Sequence, residues 1–313
     1  MSIAAYLREI GRGKDGARAL SRAQAADLMH QVLAGTVSEI ELGAFAIAMR
    51  IKGETPEELA GFMDAVQPRL LALPAVPAGA AGAVVLPSYN GARKLPNFTP
   101  LLAALLARQG LAVLVHGLPE DPDRVTSAQV FDALGLPPVL DAEGVAARWA
   151  AGQPAFMATD VLHPSLTRLL AVRRVIGLRN PAHSLAKLLP AVPGAVRVVN
   201  HTHPEYAESL GEFLGLTGAD ALLMRGTEGE PVADARRTPR MSAFLRGVRD
   251  EALSVEAQGG SLAQLPDLPK AIDAASTAAH IEAVLAGQRP VPAPITTQCE
   301  AIGRLAAAAR LRG

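Results

Sequence analysis

The feature that most constrains this chain is an alternation running through its last three quarters. Four short apolar runs, residues 83–86, 111–115, 195–199 and 221–224, have the length and the Val, Leu and Ala content of buried strands. Segments with helical patterning, 101–108, 126–134 and 205–214, lie between them. Strands covered on both faces read as continuous apolar runs, and strands alternating with helices build a largely parallel sheet. Ligands of such sheets sit beyond the carboxyl ends of the strands. The loops 87–94, 116–124 and 225–231 each follow a run, so functional residues are expected there.

The first seventy or so residues obey a different rule. Ser21 with Gln24 and Ser38 with Glu41 have capping-box spacing, in which the hydroxyl takes a free helix amide and the longer side chain reaches back. Thr55-Pro56-Glu57-Glu58 sets a proline and two carboxylates at a helix start, where the missing donor costs nothing and negative charge is favoured. Leu42, Phe45 and Met49 share one helical face. The expected organisation is therefore a small α-helical domain, 1–73, an aperiodic Pro- and Gly-rich connection, and a larger α/β domain, 83–313, with a mainly parallel central sheet.

The single cysteine, Cys299, excludes a disulfide framework and a thiolate metal cluster and fits a reducing cytoplasm. Charged residues interrupt every long apolar tract, so neither a signal peptide nor a membrane span is expected. Lys plus Arg and Asp plus Glu each number 30, which gives zero formal charge. The charges are nevertheless segregated. Residues 161–200 hold Arg168, Arg173, Arg174, Arg179, Lys187 and Arg197 with no acid, and 235–249 hold five arginines with none. Acids gather in 120–143 and 205–234. Such segregation can give a neutral molecule a basic surface.

Several motifs carry a family resemblance. Leu33-Ala34-Gly35-Thr36-Val37-Ser38 and Arg50-Ile51-Lys52-Gly53-Glu54-Thr55-Pro56-Glu57-Glu58-Leu59-Ala60-Gly61 are similar to the helical domain of glycosyltransferase family 3. That family includes the anthranilate phosphoribosyltransferases and a class of nucleoside phosphorylases. Val115-His116-Gly117, followed by Phe131-Asp132-Ala133-Leu134-Gly135, resembles its phosphoribosyl-diphosphate loop and the next helix. His163-Pro164 and the stretch from Val172 to Pro181 resemble its acceptor-site helix. The resemblance implies the phosphoribosyltransferase-like fold, with a segment near 163–181 returning to the helical domain.

The enzymatic signatures are degraded. Where the family has a Gly-Thr-Gly-Gly-Asp-Gly loop, whose bare backbone approaches the diphosphate, this chain reads Pro87-Ser88-Tyr89-Asn90-Gly91-Ala92-Arg93-Lys94. The family's Lys-His-Gly-Asn-Arg keeps only His116-Gly117. Its Mg²⁺-holding acidic pair falls on Pro231 and Val232, although Glu228 and Glu230 stand close by in sequence. No cofactor, metal or catalytic residue is therefore expected.

The replacement motifs, with Arg179-Asn180-Pro181-Ala182-His183-Ser184 and Arg225-Gly226-Thr227-Glu228-Gly229-Glu230, resemble a diverged, YbiB-like branch of the family. That resemblance implies a homodimer that binds DNA and RNA, single- or double-stranded, without sequence specificity and without a membrane. The expected phosphate-binding residues are Arg93, Lys94, Arg173, Arg174, Arg179 and Lys187, lining a groove between the domains. Arg93 and Lys94 precede Asn97-Phe98-Thr99-Pro100, which reads as an exposed helix start offering free amides to phosphate. Tyr89 is the best candidate for stacking on a base, and His116 is expected to fix its loop by hydrogen bonding. Two alternatives remain open: a phosphoribosyltransferase with an altered substrate, and a regulatory protein for a small phosphorylated ligand.

Overall fold

A computed structural model describes residues 2–13, 15–260 and 265–312. In chain order, helices α1 (Ala4–Ile10), α2 (Arg22–Ala34), α3 (Glu39–Lys52) and α4 (Pro56–Val66) come first. Strand β1 (Gly82–Ser88), α5 (Thr99–Arg108), β2 (Leu111–Gly117), α6 (Ser127–Ala133), α7 (Ala142–Ala150) and β3 (Ala155–Ala158) come after them. Next are α8 (Thr159–Leu162), α9 (Pro164–Ile176), α10 (Ala182–Leu185), β4 (Val196–His201), α11 (Tyr206–Thr217) and β5 (Ala221–Arg225). The antiparallel strands β6 (Met241–Leu245) and β7 (Val248–Val255) precede α12 (Ala274–Leu285) and α13 (Ala293–Arg312). Among the described residues no helix is long and apolar enough to cross a membrane.

The chain divides into two compact units, one of residues 1–71 with 159–191 and one of 72–158 with 192–313. The segment that returns to the helical unit is longer than the 163–181 expected from sequence, and it interrupts the 83–313 stretch. Its anchors explain why. His163 accepts the Leu166 amide at 3.1 Å through Nδ1, capping α9, while Nε2 donates to the Val66 carbonyl at 3.0 Å and ties α9 to α4. Arg168 donates to Leu33 O at the end of α2 (3.3 Å), filling a helix carbonyl that lacks an amide partner.

Helices α2, α3 and α4 start as the sequence dictates. Ser21, Ser38 and Thr55 each close a reciprocal capping box with Gln24, Glu41 and Glu58. Glu58 does more than cap. It is fully buried, takes the Leu20 amide at 2.9 Å and pairs with Lys52 at 2.6 Å, so the apolar interior of the unit holds a satisfied ion pair.

In the second unit the sheet runs β3-β2-β1-β4-β5-β6-β7, with β1 to β5 parallel and β6 and β7 antiparallel at one edge. The chain passes from β1 outward to β2 and β3, then returns to lay β4 on the other side of β1. The order reverses between β1 and β4, the point at which open α/β sheets leave a crevice. Ser88 pairs with Gly117 where β1 and β2 end. The loops leaving β1 and β5 emerge at this same edge and meet there.

Candidate functional site

The loop after β1 and the turn after β5 are locked together by two glutamates. Thr227-Glu228-Gly229-Glu230 forms a tight reversal, with Glu230 N donating to Thr227 O at 2.9 Å. Glu228 (φ 54) and Gly229 (φ 88) both have left-handed backbone, as a type I′ turn requires. Gly229 is obligatory for a second reason: a Cβ there would collide with the Asn90 side-chain amide. For Glu228 the left-handed conformation is costly, and such strain persists only where surrounding contacts over-determine it.

Those contacts are plain. The Glu228 carboxylate accepts three successive backbone amides, Arg93 N (3.0 Å), Lys94 N (3.0 Å) and Leu95 N (3.1 Å). Asn90 Nδ2 donates to the Glu228 carbonyl at 3.0 Å. Glu230 lies deeper and is 1% exposed. One of its oxygens accepts Asn90 N at 2.8 Å and Gly91 N at 2.7 Å. The other faces three hydroxyls, those of Ser88, Thr99 (3.2 Å) and Ser127 (3.5 Å). Burial pushes the Glu230 carboxyl above its ordinary range, against the opposing pull of these donors. Gln298 of α13 fixes the residues just beyond the turn, donating to Pro231 O and accepting Ala233 N, both at 2.8 Å.

The two glutamates are fully engaged, and three features expected from sequence, the start of α5, Tyr89 and His116, are placed differently. A hard divalent ion needs carboxylate oxygens free to face it. Here both carboxylates are turned onto N–H and O–H donors whose positive ends would repel a cation, so Glu228 and Glu230 do not fit Mg²⁺. The described residues hold no group of three or more His, Cys, Asp and Glu that could bind a metal. The start of α5 is not exposed: Asn97, Phe98 and Thr99 are buried, and Asn97 Oδ1 already takes the Thr99 amide at 3.2 Å. Tyr89 is 5% exposed and so cannot serve as a stacking platform. His116 is buried in β2 and neither ring nitrogen has a hydrogen-bond partner among the described residues, so it fixes no loop that way. Burial pushes its pKa down to about 4, leaving it neutral.

The six basic residues singled out from sequence fall on both units. Arg93 and Lys94 belong to the sheet-containing unit; their side chains are exposed while their backbone amides are held by Glu228. Arg173, Arg174, Arg179 and Lys187 belong to the helical unit. Arg173 and Arg174 occupy the last turn of α9, where cations complement the negative helix end, and both are exposed. Neither forms an ion pair among the described residues.

Around His183 the helical unit gathers positive charge. Its pKa is pushed down to about 4, first by burial and then by the charges of Arg179, Arg173 and Lys187. Its Nδ1 lies 3.2 Å from the Asn180 amide nitrogen and 3.1 Å from the Asn180 carbonyl oxygen, which helps to fix the imidazole among these cations. In sequence His183 stands out only as a member of the motif from Arg179 to Ser184, and nothing local marks its burial among these cations. Three of the five arginines of 235–249 behave differently: Arg236 pairs with Asp234, Arg240 with Glu251 and Glu256, and Arg249 with Glu251.

Known proteins share this architecture. A family model described as the glycosyl transferase family helical bundle domain matches residues 4–68. The chain is 42% identical over 301 residues to the uncharacterized protein YbiB of Escherichia coli (strain K12), covering 95% of this chain and 92% of that one. It is 32% identical over 274 residues to the anthranilate phosphoribosyltransferase of Acidothermus cellulolyticus, covering 87% and 76% of the two chains. Among solved structures, the anthranilate phosphoribosyltransferase of Thermus thermophilus matches with a TM-score of 0.73 at 21% identity, covering 98% of this chain and 90% of that one. The Saccharomyces cerevisiae enzyme in complex with PRPP and Mg matches with a TM-score of 0.70 at 15% identity, covering 99% and 94%. The helical bundle, the mainly parallel sheet and these likenesses together place the chain in the anthranilate phosphoribosyltransferase-like family, glycosyltransferase family 3.

Proposed function

We propose that this protein binds nucleic acid along its phosphate backbone, without reading sequence, and does so as a homodimer. The observation that carries this reading is the cluster of Arg173, Arg179 and Lys187 around His183, in a stretch of forty residues that contains no acid. Arg174 beside it, and Arg93 and Lys94 on the other unit, add exposed cations. Guanidinium and ammonium groups make charge-assisted hydrogen bonds to phosphate, and such contacts position a polymer without selecting its bases. With aromatic residues at 4% and Tyr89 buried, affinity comes from counterion release rather than stacking. The expected dissociation constant is roughly 10⁻⁴ to 10⁻⁶ M at physiological salt.

The homodimer has its own support. An apolar groove on the helical unit is lined by Leu7, Ile10, Ala44, Ile47, Ala48 and Ile51, and Ile51 is 61% exposed. A second copy of the same face, meeting it across a two-fold axis, would remove these apolar side chains from water. A transferase with a rearranged phosphate site has less support. The loop that would receive the diphosphate is filled by Glu228 and Glu230, and their carboxylates would repel it.

A length series of unrelated oligonucleotides tests the reading. Affinity should rise with length and stay the same when sequence is scrambled. Affinity independent of length, or a strong preference for one sequence, contradicts it.

A further inference from the structure

We propose that the Glu228-Gly229-Glu230 turn is an internal plug whose side-chain oxygens occupy an oxyanion cradle in the β1 loop, and that truncating these side chains opens the cradle to phosphate or pyrophosphate. The inference concerns only the loop's anion chemistry and stands apart from the nucleic-acid reading.

The donor set has the character of a phosphate site. Two consecutive amides, Asn90 N and Gly91 N, converge on one oxygen of Glu230, while the hydroxyls of Ser88, Thr99 and Ser127 surround the other. Arg93, Lys94 and Leu95 present three more amides to Glu228. Successive backbone amides aimed at one point form an anion-binding concavity, and hydroxyls complete it without adding charge. None of these donors needs a carboxylate in particular. Each needs a buried oxygen acceptor, and a tetrahedral oxyanion supplies several.

The turn is built to stay in place. Glu228 accepts an unfavourable left-handed backbone to deliver both carboxylates, Gly229 lets Asn90 pack against the turn, and Gln298 clamps the segment beyond it. An external phosphate would have to displace a buried carboxylate that already satisfies the same donors at an effective concentration no free ligand matches. Wild-type protein therefore excludes it. The degraded glycine loop is thus closed by the chain itself, rather than merely lacking ligand contacts.

The test uses full-length protein and inorganic pyrophosphate as probe, read by calorimetry and thermal unfolding. Wild type should show no saturable binding at millimolar pyrophosphate. Glu230→Ala should bind it at least about tenfold more tightly than wild type, with the pyrophosphate raising the variant's Tm. Glu230→Gln keeps the volume of the plug and should not gain binding. Glu228→Ala lies nearer the surface, so it carries the same test at the outer amides if Glu230→Ala fails to fold. Pyrophosphate binding to wild type as tight as to the variants, or folded alanine variants that gain none, would overturn the proposal.

Discussion

Glu230 and Gly91, 139 positions apart in the chain, meet through a backbone amide that donates to a fully buried carboxylate at 2.7 Å. This bond joins the turn after β5 to the loop after β1 across the reversal point of the sheet. It also decides what that loop can do, because its backbone amides are spent on the protein itself.

Removing the plug should therefore cost stability in a graded way. Glu230→Ala leaves Asn90 N, Gly91 N and the surrounding hydroxyls without their buried acceptor, at about 3 kcal/mol or more. Glu230→Gln keeps an oxygen for the two amides and turns an amide toward hydroxyls that can accept from it, at about 1 kcal/mol. Denaturant unfolding measures both. Equal losses for the two substitutions contradict the assignment of acceptors.

Arg93→Ala with Lys94→Ala should separate fold from binding. The contacts of these residues with Glu228 are made by their backbone amides, which any side chain retains. The melting temperature should hardly move, while nucleic-acid affinity falls alike for every sequence. The slope of log affinity against log salt should shrink by up to about 2, close to one unit per lost phosphate contact. Unchanged affinity removes this loop from the interface.

His183 offers a local probe of the basic cluster. Its folded pKa of about 4 lies below the ordinary imidazole value of 6.5, so the fold favours the neutral ring. Stability from this group is present above pH 6.5 and is lost as pH falls toward 4, since the unfolded chain binds the proton first. His116, also near 4, adds to the same acid loss. Oligonucleotide phosphate bound among Arg173, Arg179 and Lys187 should offset their field and raise the His183 pKa. NMR titration of the His183 ring with and without an oligonucleotide reads this shift directly. No change places the polymer elsewhere.

Lys52→Ala should destabilise the helical unit by about 3 kcal/mol or more. It leaves the fully buried Glu58 carboxylate without its 2.6 Å cation while the Leu20 and Thr55 amides still depend on it. A loss below about 1 kcal/mol, measured by chemical unfolding, would place that ion pair in a more solvated setting.

What could be read from sequence was local. The spacings Ser21 to Gln24 and Ser38 to Glu41 encode their capping boxes within one helical turn, and the apolar runs near 83, 111, 195 and 221 became β1, β2, β4 and β5. β7 escapes a sequence reading because it is largely exposed and lacks the apolar run of a buried strand, whereas β3 and β6 are buried but only four and five residues long. The site resisted for a physical reason. Nothing near Glu230 in sequence tells that its partners are Ser88, Asn90 and Gly91, since that pairing depends on strand order. The same tertiary closure buries Tyr89 and the start of α5, two features whose local patterns suggested exposure.

The most direct test of nucleic-acid binding is a salt titration of affinity for single-stranded and duplex oligonucleotides of scrambled sequence. Log affinity should fall steeply and linearly with log salt, alike for every sequence, and the slope should flatten in Arg173→Ala with Arg174→Ala. Affinity that is absent at low salt, or insensitive to salt, would contradict phosphate-backbone binding by this protein.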